Sequence, residues 1–248
     1  MKLILSGEGP TDLGTVQLVA GKWEFVPGPM AWIVDQLLEV NYTAYSLLES
    51  HQAGGNCVIY VGKSELIPCR REGPTLLPGF KHGKGNAFFT RNAQCLALHA
   101  KKVSEEDSGT PVIAILFRDG DGTNSKEEWR KKVKSMRSGF ASQQFLTGVP
   151  MVPNPKSEAW MICALRNPLY TNCASLEDQS GNDNSPNSLK NQLQALCGGS
   201  HPSAEQQANW VKRGTVDPGR IDMPSFSEFK QDLHRAAQNA GLQALSCP

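Results

Sequence analysis

No run in this sequence approaches the roughly 20 consecutive apolar residues that a membrane-spanning helix needs, so no such helix is expected. The opening MKLILSGEGP has three consecutive apolar residues, Leu3 to Leu5, too few for the apolar core of a secretory leader. The seven cysteines (Cys57, Cys69, Cys95, Cys163, Cys173, Cys197 and Cys247) are odd in number and contain no CxxC pair. No two histidines stand at zinc-ligand spacing. These absences argue against a disulfide framework and a zinc site, and the expectation is a cytoplasmic protein with free thiols. Net charge is nearly absent too, at +1, so bulk charge announces no polyanion binder. The one loop with the look of a phosphate cradle, Gly79-Phe-Lys-His-Gly-Lys-Gly, lacks Walker A spacing and its closing Ser or Thr. ATP hydrolysis by this chain alone is not expected.

What is present is an ordinary globular composition, 39% apolar and 20% charged over 248 residues, enough for one large α/β domain. Residues 2–6 (KLILS) read as a short buried strand that runs into Gly7-Glu8-Gly9-Pro10, a tight turn, after which Thr11 or Asp12 is placed to cap a helix. Apolar spacing predicts helices at about 29–40 and 42–50, a strand at 57–61, an irregular basic loop at 63–85 and a helix at 86–104. VIAILF, residues 112–117, is the clearest strand, apolar throughout as a central parallel strand should be. A helix from Asn124 or Ser125 to about Arg137 follows, then a strand at 149–152 closed by Pro153 and Pro155. Ser157 is the expected cap of a helix running to Leu165. Further helices are expected at about 186–197 and 224–241. Trp129 and Trp160 are read as packing residues. The alternation predicts a single α/β domain whose parallel sheet is covered by helices on both faces.

The basic residues are clustered. Between 63 and 102 stand Lys63, Arg70, Arg71, Lys81, Lys84, Arg91, Lys101 and Lys102, against Glu65 and Glu72. From 126 to 137 stand Lys126, Arg130, Lys131, Lys132, Lys134 and Arg137, against Glu127 and Glu128. Such clusters suit a polyanion, although a solvated helix face explains the second equally well.

Ligands of parallel sheets sit beyond the carboxyl ends of the strands. Glu8 follows the first strand, Asp119 and Asp121 follow the central one, and Glu158 follows the fourth. If those strands are neighbours, four carboxylates converge, and close carboxylates repel unless a cation lies among them. Oxygen donors without His or Cys suit Mg2+ or Mn2+. A divalent metal beside basic surface suits phosphodiester chemistry. Lys81, Lys84 and Lys156 are the candidates for substrate contact and transition-state charge. Asp183, Asp217 and Asp222 lie in polar turns that the sequence does not place.

A strand followed by Glu in a Gly-rich turn (LILSGEG), then a strand followed by Asp-x-Asp (AILFRDGDG), resembles the TOPRIM fold of topoisomerases, primases and OLD-family nucleases. EGPTD, FRDGDG, VPNPKSEAWMICAL and SGNDNSPNSLK look most like small bacterial TOPRIM-like proteins of the DUF4276 type. The resemblance implies a TOPRIM-like (Rossmann-like) parallel sheet flanked by helices. An insertion at about 20–105 would separate the first strand from the Asp-x-Asp strand, and about 168–248 would be mostly helical. It implies a Mg2+-dependent (or Mn2+-dependent) nuclease acting on DNA or RNA, the effector of an anti-phage defence system. Glu8 would be general acid or base and a metal contact, Asp119 and Asp121 metal ligands, and Glu158 part of a second metal site. It further implies a nucleic-acid partner and an OLD- or ABC-like ATPase partner, involves no membrane, and admits a homo-oligomer. Asp119-Gly-Asp-Gly-Thr also resembles the DxDGT motif of haloacid-dehalogenase-like phosphatases, in which Asp119 would be the nucleophile. A third reading is a non-catalytic regulatory partner of an ATPase.

Overall fold

The computed structural model describes residues 1–19, 21–66, 86–120 and 126–245. Asp121, Lys81 and Lys84, together with most of the basic loop expected at 63–85, lie outside the described residues. Four parallel strands form the central sheet: β1 (Lys2–Ser6), β4 (Val58–Tyr60), β5 (Val112–Phe117) and β6 (Gly148–Met151), in the spatial order β4-β1-β5-β6. Leu3 is in register with Ile113 and Val58, and Ala114 with Gly148. β1 and β5, a hundred residues apart in sequence, are therefore neighbours.

Every residue of β5 is buried. Alternation along the strands splits the core in two. Leu3, Leu5, Ile113, Ile115, Phe117, Val149 and Met151 face one layer, shared with α1 (Pro29–Leu38), α5 (Ser157–Leu165) and α8 (Pro224–Asn239). Ile4, Val112, Ala114 and Leu116 face the other, built from α3 (Asn86–Glu106) and α4 (Lys126–Ser142). This is the α/β architecture with helices on both faces that the alternation predicts. α2 (Leu47–Gln52) closes the near edge, and α6 (Leu189–Leu196) and α7 (Ala204–Lys212) complete the helical C-terminal part. Trp160 is fully buried with its Nε1–H donated to Ser225 Oγ, and Trp129 donates to Val152 O, so both are packing residues as expected.

Two local expectations are corrected, and one helix is added. No helix follows Thr11 and Asp12. Gly14–Val19 (β2) and Lys22–Pro27 (β3) form an antiparallel hairpin instead, and the first helix starts at Pro29. The β-branched run Thr15-Val16 followed by Leu18-Val19 favours strand, and Gly14 takes a φ of +113° with no room for a Cβ, which would lie 2.2 Å from Val26 O. The helix at 204–212 carries a signal that apolar spacing alone passes over: Ser203 precedes Gln206 by three residues, and Ser203 Oγ accepts the Gln206 N–H at 3.1 Å. Finally, Cys163 and Cys173 form a disulfide, with their Cα atoms 5.1 Å apart. The free-thiol expectation fails for this pair because the chain leaving α5 doubles back through Tyr170 and Asn172, both with positive φ, a return that cysteine spacing does not encode. Cys57 and Cys197 are free. Among the described residues no helix is long and apolar enough to cross a membrane.

Candidate functional site

The carboxyl ends of β1, β5 and β6 feed three short connections into one place. β1 delivers Glu8 and Asp12, β5 delivers Arg118 and Asp119, and β6 passes through Asn154-Pro155, a cis peptide, into α5. Gly120 makes this meeting possible. A Cβ there would lie 2.7 Å from Pro153 O and 2.8 Å from Pro155 O, both backbone atoms that cannot swing away. Its N–H donates to Pro153 O at 3.1 Å, locking the β5 exit to the β6 exit.

Arg118 is fully buried. Its Nε stands 3.0 Å from Glu8 Oε1, and one terminal nitrogen donates to Phe117 O at 2.6 Å. A buried guanidinium requires charge compensation, and Glu8 supplies it. The Glu8 carboxylate is thus engaged across the β1–β5 boundary.

Asp119 meets the start of α5. Its Oδ1 accepts the Ser157 N–H at 3.1 Å. Ser157 does not cap its own helix as expected: the N-cap position is Lys156, which makes no side-chain cap bond. The Ser157 hydroxyl instead donates to Asp12 Oδ1 at 2.6 Å. One serine thereby ties the β1 exit to the β5 exit at a helix N-terminus. The carboxylates sit where unpaired N–H groups and the helix dipole favour negative charge. Part of the repulsion expected from sequence is offset this way, and part by Lys156, whose Nζ reaches Asp183 Oδ1 at 3.0 Å.

Asp12, Asp119, Lys156, Ser157, Glu158 and Asp183 line a cavity of about 480 Å3. The C-terminal part adds Lys190 and Leu193 of α6, His201, and the start of α7 to the lining. Glu158 is the anomalous member. Its Oε2 is buried without a hydrogen-bond partner. Burial, reinforced by the Asp12 and Asp183 charges, raises its carboxyl above the ordinary glutamate range, and a hydrogen bond from its own backbone N–H and the Lys156 charge only partly oppose this. Glu158 therefore holds a proton at higher pH than a free glutamate does.

Of the sequence candidates, Asp119, Lys156 and Glu158 share this cavity, while Glu8 lies outside its lining and faces Arg118. Asp183 joins the site. Asp217 closes a turn by accepting the Gly219 N–H at 2.8 Å, and Asp222 is exposed. Asp12, Lys190 and His201 were not anticipated as site residues. Asp12 carries a helix-cap signal, but its partner is a serine 145 residues away. His201 stands in a polar stretch with no period to assign a facing, and Lys190 lies on a helix whose period marks Leu189 and Leu193 as the buried face without saying what the polar face meets. Among the described residues no group of three or more His, Cys, Asp or Glu stands close enough to hold a metal ion. No protein-family model, curated protein or solved structure matches this chain.

Proposed function

We propose that this chain is a metal-dependent nuclease of TOPRIM-like design, hydrolysing phosphodiester bonds of DNA or RNA in an anti-phage system with an ATPase partner. The observation that carries the reading is the cavity at the carboxyl ends of β1 and β5. Asp12, Asp119 and Glu158 line it together, and the Glu158 Oε2 is buried without a hydrogen-bond partner. Carboxylate oxygens are the donor type that suits a hard divalent cation, and the buried Glu158 oxygen lacks a protein partner. On the Asp-x-Asp resemblance, Asp119 and Asp121 would hold Mg2+ or Mn2+; Asp121 lies outside the described residues, and the described carboxylates alone do not stand close enough together to hold the ion. The chemistry such an ion supplies is polarisation of a phosphoryl oxygen and acidification of water.

The remaining work falls to the chain. Glu158, whose carboxyl is raised by burial, is the group suited to hold and return a proton. Lys156 neutralises charge at the cavity mouth, and Lys190 and His201 of the lining suit the phosphates of the substrate. Glu8 serves as the counter-charge of Arg118 and positions the β5 exit; the resemblance alone gives it a direct part in acid–base work.

The test incubates purified protein with Mn2+ or Mg2+ and a panel of supercoiled and linear DNA, single strands, total tRNA and p-nitrophenyl phosphate. Asp119→Asn and Glu158→Gln run beside it. Metal-dependent cleavage of nucleic acid, lost in both variants, supports the reading, and the substrate cut separates DNA from RNA. Nitrophenol release that Asp119→Asn abolishes and Glu158→Gln leaves intact would replace it with the phosphatase. No turnover in either assay, with the ATPase partner present, would replace it with the non-catalytic reading.

A further inference from the structure

The β2–β3 hairpin projects an apolar stripe that nothing in the described residues covers. In its register Val16 stands opposite Phe25 and Leu18 opposite Trp23, and directly opposed residues share a face. The stripe begins in the core, where Phe25 stacks on Tyr60 with ring centroids 5.1 Å apart. It then runs outward into solvent, with Leu18 61% and Trp23 72% exposed. An isolated two-stranded hairpin is marginally stable in water, and a bare strand edge is a pairing template. Among the described residues no third strand joins the sheet.

β3, an edge strand of the two-stranded sheet, carries a charge pattern complementary to itself. Lys22 and Glu24 share the face opposite Trp23, and their partners within the hairpin are Val19 and Gln17, neither of them charged. Two residues separate β2 from β3, so Val19 and Lys22 form the hydrogen-bonded pair next to the turn. The backbone N–H and C=O of Trp23 and Phe25 then point away from β2, toward the open edge.

We propose that β3 pairs antiparallel with β3 of a second copy of this chain, about a two-fold axis at Trp23. In that register Trp23 opposes Trp23 of the other copy as a hydrogen-bonded pair. Lys22 opposes Glu24 and Glu24 opposes Lys22, giving two reciprocal ion pairs on one face. On the other face the apolar stripes of the two hairpins merge. The interface is isologous, as two-fold dimers require. The two Pro27 residues, where each hairpin joins its body, lie eight residues apart along the ladder, roughly 27 Å, so the bodies stand on opposite sides of the shared four-stranded sheet. The dimer is independent of any chemistry at the cavity.

The test measures oligomeric state across a concentration series by analytical ultracentrifugation for the full chain, Lys22→Glu, and the swap Lys22→Glu/Glu24→Lys. The expected result is a dimer for the parent chain. Lys22→Glu places like charges opposite one another and weakens the dimer about tenfold or more. The swap restores the ion pairs in reverse and recovers the parent affinity. Far-UV circular dichroism confirms that the variants, changed only at exposed positions, remain folded. Amide hydrogen exchange adds a second readout: the Trp23 and Phe25 amides are protected at high protein concentration and lose protection on dilution. A parent chain that stays monomeric throughout, a dimer indifferent to Lys22→Glu, or a swap that fails to restore it each overturns the proposal.

Discussion

Arg118 and Glu8 meet across the carboxyl ends of two neighbouring parallel strands, Nε to Oε1 at 3.0 Å, with the arginine fully buried and the glutamate partly exposed. The pair joins the turn after β1 to the exit of β5 and sits one residue from Asp119. Removing Glu8 leaves a buried cation short of its carboxylate. Loss of one partner of a fully buried pair costs about 3–5 kcal/mol, and exposure of the Glu8 end reduces that to about 2 kcal/mol. Glu8→Ala should lower the urea midpoint accordingly, with an unchanged slope. An unchanged midpoint would show that Arg118 is compensated without Glu8.

Gly120 packs its Cα against the carbonyls of Pro153 and Pro155. Gly120→Ala forces those backbone segments apart, and overpacking of this kind costs about 1–3 kcal/mol. Because the same contact brings the β5 and β6 exits together, cavity-dependent activity should fall more than stability does. Thermal denaturation and the cleavage assay on one preparation separate the two effects.

Glu158 makes stability depend on pH with a definite sign. Its carboxyl is raised in the folded state by burial and by Asp12 and Asp183, so folding favours the protonated form. The favourable contribution is fully present below the unfolded value, 4.5 for a glutamate, and is lost as pH rises through the raised folded value. Glu158→Gln removes this dependence. Its advantage in melting temperature over the parent should be largest near neutrality and shrink toward about pH 4. A constant offset across that window would contradict the assignment.

Asp35 is a buried carboxylate whose charge is held by hydrogen bonds. It accepts from Ser46 Oγ at 2.5 Å, from Leu47 N at 2.8 Å and from Leu48 N at 3.1 Å, at the beginning of α2. Burial raises its carboxyl despite these bonds. Asp35→Ala leaves two N–H groups and a hydroxyl unsatisfied in the core, at a cost of about 2–4 kcal/mol. Asp35→Asn keeps the acceptor oxygen and should lose about half as much. Equal losses would mean that the negative charge itself, rather than the acceptor geometry, holds α2.

The local pattern was sufficient for much of this molecule. The continuous apolar run VIAILF could only be a strand buried on both faces, and it put Asp119 at a carboxyl end. The spacing in SEAWMICAL put Glu158 in the first turn of a helix, and helix it is. The hairpin escaped because a Gly-Pro turn followed by a cap-competent Thr-Asp pair carries a helix signal. The strand signal of the next residues prevailed once Phe25 had Tyr60 to stack on.

The sequence by itself determined most of the strands and helices, the β2–β3 hairpin and α7 excepted, because side-chain periods of 2 and 3.6 and the turn residues between them are properties of neighbouring positions. It also set the acids at strand ends. Only the tertiary structure decided their partners: Glu8 to Arg118, Asp12 and Asp119 to the two polar groups of Ser157, Lys156 to Asp183, and Cys163 to Cys173. The physical reason is that most of these contacts join residues far apart in the chain. They depend on strand order and on where each loop returns, and local periodicity carries no record of either. The burial that leaves Glu158 Oε2 without a partner belongs to the same class, since it is set by walls contributed from distant parts of the fold.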